Sequence, residues 1–462
     1  HEPLRTIYPF AGVEPVQEVV APFAVELDVV DTSALAVDAR REALDDVMKA
    51  AAAARPNPTS EVQFDATLVR EADDSHVLVV AMHHIGFDGW SEAIFVDDLT
   101  ELYRSVVDGD TPRLPELPIR FSDYARWERE TAADRDIEAV LAYWRGGLAG
   151  SGDSPQLPVQ SDAGASTTPV TMRLDPTELS AIRTLARAEK TTPFVVLLAG
   201  VELAARELTD AEDFVTLCPV AGRDRPEVHD LVGCFINHLY VRSSLLGADT
   251  HLDHLRAVRA RVAEALAHRN VPNRRVLEQF GGWSRRPTIN RISLQWRDFP
   301  HERALTAAGP IRLEPMRIAD GATGLALYVT PDGDAADLEI QFNSAVFGPE
   351  SVAAWANRLR DHVRALCADP NRQLPPLRPH REAPDPTATL LAENNEPVVY
   401  AIARQANVAP TSLAVQTPRD EITYGELWQR SGELAAVLQG AGVEPGSSVG
   451  VLTNRNAGQA AN

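Results

Sequence analysis

The densest concentration of chemistry-capable side chains is His83-His84-Ile85-Gly86-Phe87-Asp88-Gly89-Trp90-Ser91. Two imidazoles and a carboxylate within six positions suit a metal ion, a proton transfer or simple structural duty, and spacing helps to choose. Adjacent residues of a strand point to opposite faces. His83 and His84 at a strand end therefore do not converge on one ion, and no metal site is read here. One of the two faces a packed, supporting position while the other can face a cleft. Asp88 can turn back to fix the backbone or a ring nitrogen, and Gly89 admits close approach of a ligand to the main chain. The competing reading is structural, with a satisfied core histidine and Asp88 as a helix N-cap. The cysteines Cys218, Cys234 and Cys367 lack the CxxC spacing of a zinc site or redox pair. Gly233-Cys234-Phe235-Ile236-Asn237 reads as a buried strand with no motif to bring a histidine to Cys234, which argues against a cysteine hydrolase.

The elements that must position this cluster follow from periodicity. His76–Met82 (HVLVVAM) reads as a fully buried strand that ends at the motif. From Ser91 to about Arg104, Ile94, Phe95, Leu99, Leu102 and Tyr103 share one helical face. A strand end feeding a helix is where α/β folds commonly place reacting groups. Upstream, residues 34–54 read as a helix and Val62–Val69 as a half-buried strand, followed by the acidic turn at Glu71–Asp74. The Gly/Pro/Ser-rich stretch 149–168 breaks the pattern and marks a lobe boundary. Beyond it, Glu178–Lys190 and Pro193–Glu207 read as helices. Phe214–Val220, Cys234–Val241, Arg291–Trp296, Leu325–Val329 and Leu338–Phe342 read as strands. A Pro-rich linker follows, then a tail from about residue 396 in which Tyr424–Gly440 reads as an amphipathic helix.

The chain has 462 residues and a formal net charge of −22, with 44% hydrophobic and 24% charged residues. That composition is globular, and its acidity argues against a surface devoted to nucleic acid or an anionic membrane. No signal peptide or membrane-length apolar run is evident, and cysteine usage suggests a reducing, cytoplasmic setting. The overall charge hides a local reversal. Arg269, Arg274, Arg275, Arg285, Arg286, Arg291 and Arg297 fall between His268 and Arg297 with Glu278 as the sole acid.

HHIGFDGWS resembles the HHxxxDG signature of condensation domains of nonribosomal peptide synthetases, within the chloramphenicol-acetyltransferase-like superfamily. Four further stretches resemble family motifs, in the family's order. They are His1-Glu2-Pro3-Leu4-Arg5-Thr6, Tyr143-Trp144 with Leu148, Gly222-Arg223 followed by Gly233-Cys234-Phe235-Ile236-Asn237, and His268-Arg269-Asn270-Val271-Pro272. Thr423-Tyr424-Gly425-Glu426-Leu427 resembles the opening of an adenylation domain, without the phosphate loop or lysine that ATP chemistry needs. The resemblance implies an α/β fold of two chloramphenicol-acetyltransferase-like lobes in a V-shaped pseudo-dimer, plus an adenylation-domain fragment. The implied division is 1–160 and 161–378 for the lobes, 379–395 for the linker and 396–462 for the fragment. A family opening strand and helix would precede His1.

The implied activity is attack of an aminoacyl-thioester amine on an acyl or peptidyl thioester, giving an amide. Both substrates would arrive on phosphopantetheine arms of upstream donor and downstream acceptor carrier proteins, with an adenylation domain adjacent in the same polypeptide. No cofactor is expected to be bound by the domain itself. His84 is expected to take the amine proton or orient the amine, and Gly89 to offer a backbone N–H to the oxyanion. Asp88 is expected to be architectural through a salt bridge to Arg5, and His83 to be packed behind the site. Trp90, Ser91 and Asn237 are expected to line or support a tunnel that these arms enter from both sides. Arg269, Arg274 and Arg275 are candidates for docking an acidic carrier protein. An ester-forming acyltransferase and a catalytically silent recruitment platform are the alternatives. Heterocyclisation would need Asp in place of His83.

Overall fold

Alternating apolar positions on both sides of an acidic turn fold residues 64–82 back on themselves. Strand β2 (Phe64–Arg70) pairs antiparallel with β3 (His76–Met82) in the register Phe64↔Met82, and Glu71 N donates to Ser75 O at 2.9 Å across the turn. Strand β1 (Asp28–Asp31) adds to β2 in parallel, with the Ala-rich helix α1 (Val37–Ala53) as the crossover. In the computed structural model of the chain, the described residues are 1–12, 14–54, 56–134, 137–149, 169–209, 213–244, 248–279, 292–297, 302–303, 311–312, 324–342, 347–374, 398–416 and 421–440. Within them the chain divides into two compact units, His1–Pro376 and Leu377–Asn462.

The sequence reading of β3 as fully buried is corrected. β3 is an edge of a three-stranded sheet, and of its seven residues only Val79 is buried. The following helix, α2 (Gly89–Asp108), is longer than its periodicity suggested. Its buried positions are Ser91, Val96 and Ser105, and the apolar Leu102 and Tyr103 are exposed. The face that α2 turns inward is thus polar at its start, where it meets the site.

Helices α3 (Phe121–Asp134) and α4 (Ile137–Leu148) follow. The apolar face of α4, Leu141, Trp144 and Leu148, belongs to the core of the second lobe, although α4 precedes the Gly/Pro/Ser-rich stretch. That core lies around a six-stranded sheet. Its strands are β4 (Val170–Leu174), β5 (Asp213–Val220), β6 (Asn237–Ser244), β7 (Ile292–Trp296), β8 (Leu325–Asp332) and β9 (Ala335–Phe342), in the order β6-β5-β7-β8-β9-β4. The β5-β7-β8 centre is parallel and the flanking pairs are antiparallel. Helices α5 (Pro176–Ala188), α6 (Pro193–Thr209), α7 (His251–Ala267) and α9 (Pro349–Ala368) bury apolar side chains in this core, and the short α8 (Asn273–Glu278) follows α7. Continuous apolar runs such as Val195–Ala199 are what a helix enclosed by a sheet and other helices requires.

The strand expected at Cys234–Val241 begins only at Asn237. Cys234, Phe235 and Ile236 are irregular backbone, because the N–H of Phe235 is spent on a side chain of the first lobe rather than on a ladder. In the second unit, α10 (Val398–Val408), the pair β10 (Leu413–Gln416) and β11 (Glu421–Thr423), and α11 (Tyr424–Gly440) close over Ile422 and Leu427.

Candidate active site

β3 stops at Met82, so both histidines lie in the turn that leads into α2 rather than on the strand. Strand alternation therefore does not decide where their side chains go. His83, expected to be packed, is exposed, and its Nδ1 accepts the Ile85 backbone N–H at 2.9 Å, tightening the turn. His84 is exposed as well, with Nδ1 3.7 Å from Cys234 Sγ. The turn is held from behind at Gly86, where a Cβ would stand 3.1 Å from the Pro3 carbonyl oxygen.

Asp88 is buried and caps α2. Its Oδ1 accepts Ser91 N at 2.9 Å and Ser91 Oγ at 2.7 Å, which satisfies one of the orphan donors of the helix start. The same oxygen accepts an Arg223 guanidinium N–H at 3.0 Å, and Oδ2 accepts Phe235 N at 2.9 Å. The Asp88 and Arg223 side chains are 3% and 1% exposed. Arg223 Nη1 donates to the Val228 and Leu231 carbonyls, at 2.6 and 2.7 Å, and the guanidinium lies 4.0 Å over the Phe235 ring. Burial pulls the guanidinium below its ordinary pKa, and the charge and hydrogen bond of Asp88 oppose that pull. The structural reading of Asp88 as an N-cap and its reading as an ion-pair partner are both true of one carboxylate.

The partner expected for Asp88 was Arg5, and this is corrected. Thr6-Ile7 pairs with Glu18-Val19, which sets Arg5 beside Val20, and the Arg5 guanidinium donates to the Val20 carbonyl. Arg223 was visible in the Gly222-Arg223 motif, and the demand of a buried carboxylate for a buried cation was the signal that could have selected it. Gly222 has φ +66°, and a Cβ there would lie 1.9 Å from the Phe235 carbonyl oxygen. The turn that aims Arg223 inward is thus open only to glycine.

Ser91, fully buried, joins the lobes: its Oγ accepts the Gly233 N–H and an Arg223 N–H, each at 3.0 Å. Trp90 donates its indole N–H to the His229 carbonyl at 3.0 Å and is partly exposed. Gly89 is the first residue of α2, where a backbone N–H has no intrahelical acceptor. Asn237 supports the second lobe. Its Nδ2 donates to the Arg269 and Val271 carbonyls at 2.8 Å each, tying the start of β6 to the loop after α7. Tyr143 stacks on the His268 ring at 3.8 Å between centroids, and Trp144 donates to the His268 carbonyl at 3.0 Å. The Tyr-Trp, Gly-Arg, Gly-Cys-Phe-Ile-Asn and His-Arg-Asn-Val-Pro stretches are therefore one connected scaffold behind the His84 turn.

Three further residues bear on this region, of which Glu92 and Tyr8 were not singled out by the sequence. Cys234 does have a neighbouring histidine, contrary to expectation, yet burial pushes its thiol up to about 11 with Asp88 adding, so it is protonated near neutrality. A thiol in that state is a poor nucleophile. Glu92 follows Asp88 by one helical turn, and burial lifts its carboxyl above the usual range against the pull of Arg297, while Asp88 adds to the rise. Tyr8 is buried beside Cys234 and pushed up to about 12, burial being the larger cause. Among the described residues, no group of three His, Cys, Asp or Glu is placed to hold a metal ion, and no helix is long and apolar enough to cross a membrane.

The arginine run is partly spent inside the chain. Arg269 pairs with Asp224 at 2.9 Å, whereas Arg274 and Arg275 share Glu278 at 2.9 and 3.6 Å and stay exposed. Arg297 lies 3.7 Å over the Tyr328 ring. Arg285, Arg286 and Arg291 lie outside the described residues.

A model of the protein family described as Condensation domain matches residues 1–380. The chain belongs to the condensation-domain family. Condensation domains are acyltransferase-type enzymes of nonribosomal peptide synthetases that form amide bonds. This condensation domain is 30% identical over 493 residues to the isonitrile lipopeptide synthase of Mycobacterium tuberculosis, a match covering 98% of this chain and 19% of that protein. It is 30% identical over 483 residues to a phosphinothricin tripeptide synthetase of Streptomyces viridochromogenes, covering 99% of this chain and 43% of that one. The chain thus spans less than half the length of these curated relatives. Its fold is similar to that of a four-domain nonribosomal peptide synthetase crystallised with AMP and glycine. The TM-score is 0.69 at 16% identity, covering 96% of this chain and 35% of that one.

Proposed function

We propose that this domain joins a carrier-bound acyl or peptidyl thioester to the amine of a carrier-bound aminoacyl thioester, releasing the donor arm as a thiol. The observation that carries this reading is the division of labour in the motif. Both Asp88 oxygens are committed to internal donors, whereas the neighbouring His84 keeps an exposed imidazole at the start of α2. An α-amine has pKa about 7.7–8.0 and a thioester is already activated, so a strong base is not required. Positioning and stabilisation of the oxyanion are the larger contributions. His84 takes the amine proton or orients the amine, and the Gly89 N–H faces the developing oxyanion. Asp88 and Arg223 hold α2 and the Gly233–Asn237 segment in register, Trp90, Ser91 and Asn237 brace them, and His83 and Arg5 shape the turn and its backing. The phosphopantetheine arms bring both substrates, so the domain needs no cofactor of its own. Donor and acceptor carrier proteins are its partners, with Arg274 and Arg275 as exposed cations for one of them. The tail from about residue 396 is the first part of an adjoining adenylation domain, in a synthetase working in the cytoplasm.

The test is direct. Incubation with loaded donor and acceptor carriers yields the amide by mass spectrometry, and His84→Ala lowers its rate by about 10²-fold or more while melting like the parent. Amide formation at the parental rate would remove His84 from the chemistry. An ester on an added alcohol would favour the acyltransferase alternative, and no product with any pair would favour a recruitment platform.

A further inference from the structure

The contact between Cys234 and His84 bears on which of the two imidazole nitrogens carries the proton. The two side chains come from different lobes, 150 residues apart, and meet at Nδ1 and Sγ, 3.7 Å apart. Two arrangements are open to such a pair. Either the thiol donates to a bare Nδ1, which leaves the proton on Nε2, or Nδ1–H donates to sulfur, which leaves Nε2 bare. The surroundings of the sulfur favour the first. Burial, with Asp88 nearby, keeps the thiol protonated to about pH 11, so at neutral pH the sulfur has a proton to give. An imidazole nitrogen is also a better acceptor than a thiol sulfur, which accepts only weakly.

We infer that Cys234 is a positioning residue that holds neutral His84 as the tautomer protonated on Nε2, so that His84 meets the reacting atoms as a hydrogen-bond donor. This rests on the reading above that His84 meets the reacting atoms, and it replaces the amine by the carbonyl oxygen as the partner of the ring. With Nε2–H presented, His84 works on the thioester carbonyl oxygen as it becomes an oxyanion, alongside the start of α2. The proton that the amine sheds on attack does not then go to His84. As the C–N bond forms and the C–S bond breaks, the departing thiolate needs one proton and the ammonium must lose one, so the transfer is between these two through solvent. The tetrahedral centre collapses to amide and free thiol with no net proton left on the protein.

The experiment uses the full chain labelled with ¹⁵N-histidine, with the His84 ring signals assigned by their loss in His84→Gln. Long-range ¹⁵N–¹H correlation spectra are expected to show Nδ1 bare and Nε2 protonated in the parent. Cys234→Ala is expected to shift the two nitrogens toward a mixed population and to lower kcat for amide formation about three- to ten-fold at unchanged KM for the carriers. Cys234→Ser retains an O–H donor and is expected to recover the parental tautomer and most of kcat. Thermal melts of both variants separate a folding defect from a change at the ring. A parental ring protonated on Nδ1, or a Cys234→Ala spectrum identical to the parent's, overturns the inference. If His84→Ala retains parental turnover, the functional reading of His84 fails, whatever its tautomer. If His84→Ala is inactive and Cys234→Ala changes neither spectrum nor rate, the inference alone fails.

Discussion

Removing the Asp88 carboxylate strikes a place where the two lobes share a buried charge. In Asp88→Ala, Arg223 stays in a site where its side chain is 1% exposed, still tied to the Val228 and Leu231 carbonyls but without its counter-ion. Breaking a buried ion pair from one side costs about 3–5 kcal/mol, because the surviving charge remains desolvated. Loss of the N-cap of α2 adds about 1 kcal/mol, and the Phe235 N–H loses its acceptor. Against a total stability of about 5–15 kcal/mol, a loss of about 4–6 kcal/mol is close to unfolding. Chemical denaturation of the parent, Asp88→Ala, Asp88→Asn and Arg223→Met, with the Asp88→Ala/Arg223→Met double variant, measures it. Asp88→Asn keeps an acceptor for Ser91 and is expected to fall between parent and Asp88→Ala. The double variant is expected to be less destabilised than the sum of its parts, by more than about 1 kcal/mol. Pairing Asp88→Ala with Arg5→Ala is expected to show no such coupling. An Asp88→Ala protein that melts like the parent, or strict additivity with Arg223→Met, would refute the account of the pair.

Gly222→Ala places a Cβ against the Phe235 carbonyl at positive φ, and is expected to cost about 3 kcal/mol or more in denaturation experiments while releasing Arg223 from its turn. Charge reversal at Arg274 and Arg275 is expected to weaken carrier-protein binding at low salt and to have less effect at high salt, as titrations across ionic strength would read; equal affinity at low salt would exclude that docking surface. His254 is buried, with its pKa lowered to about 3 from 6.5, burial being the larger cause and Arg261 the next. The unfolded chain therefore binds the proton more readily than the folded one, so this contribution is intact above pH 6.5 and is lost as pH falls toward 3. His254→Gln is expected to flatten the pH dependence of stability across that window relative to the parent, and an unchanged slope would count against it.

Much of the local structure was legible because it rests on short-range patterns. The helix Tyr424–Gly440, the strand His76–Met82 and the turn between the strands of the first hairpin follow from periodicity and turn residues alone. Errors arose where a residue's neighbours come from distant parts of the chain. β3 reads as buried because its composition is apolar, but its burial depends on being an edge strand, a property of the sheet and not of the segment. Gly233–Asn237 reads as strand because its residues favour one, yet a carboxylate from the other lobe takes the Phe235 N–H.

The motif carried the family and the likeness of reaction, since two histidines, an aspartate and a glycine at fixed spacing are a chemical statement that survives any change in the rest of the chain. It also carried the architectural role of Asp88, because a carboxylate at a helix start has a local reason to be there. Only the tertiary structure decided which arginine answers that carboxylate and which nitrogen of His84 is engaged. Arg5 and Arg223 are chemically equal candidates along the chain, and hydrogen bonds are made within about 3 Å in space, not by proximity in sequence. The strand pair that delivers Arg5 to Val20 and the glycine turn that delivers Arg223 to Asp88 make that choice. The Gly233–Asn237 segment, held by Asp88 through the Phe235 N–H, carries Cys234 to the histidine that the motif had already singled out.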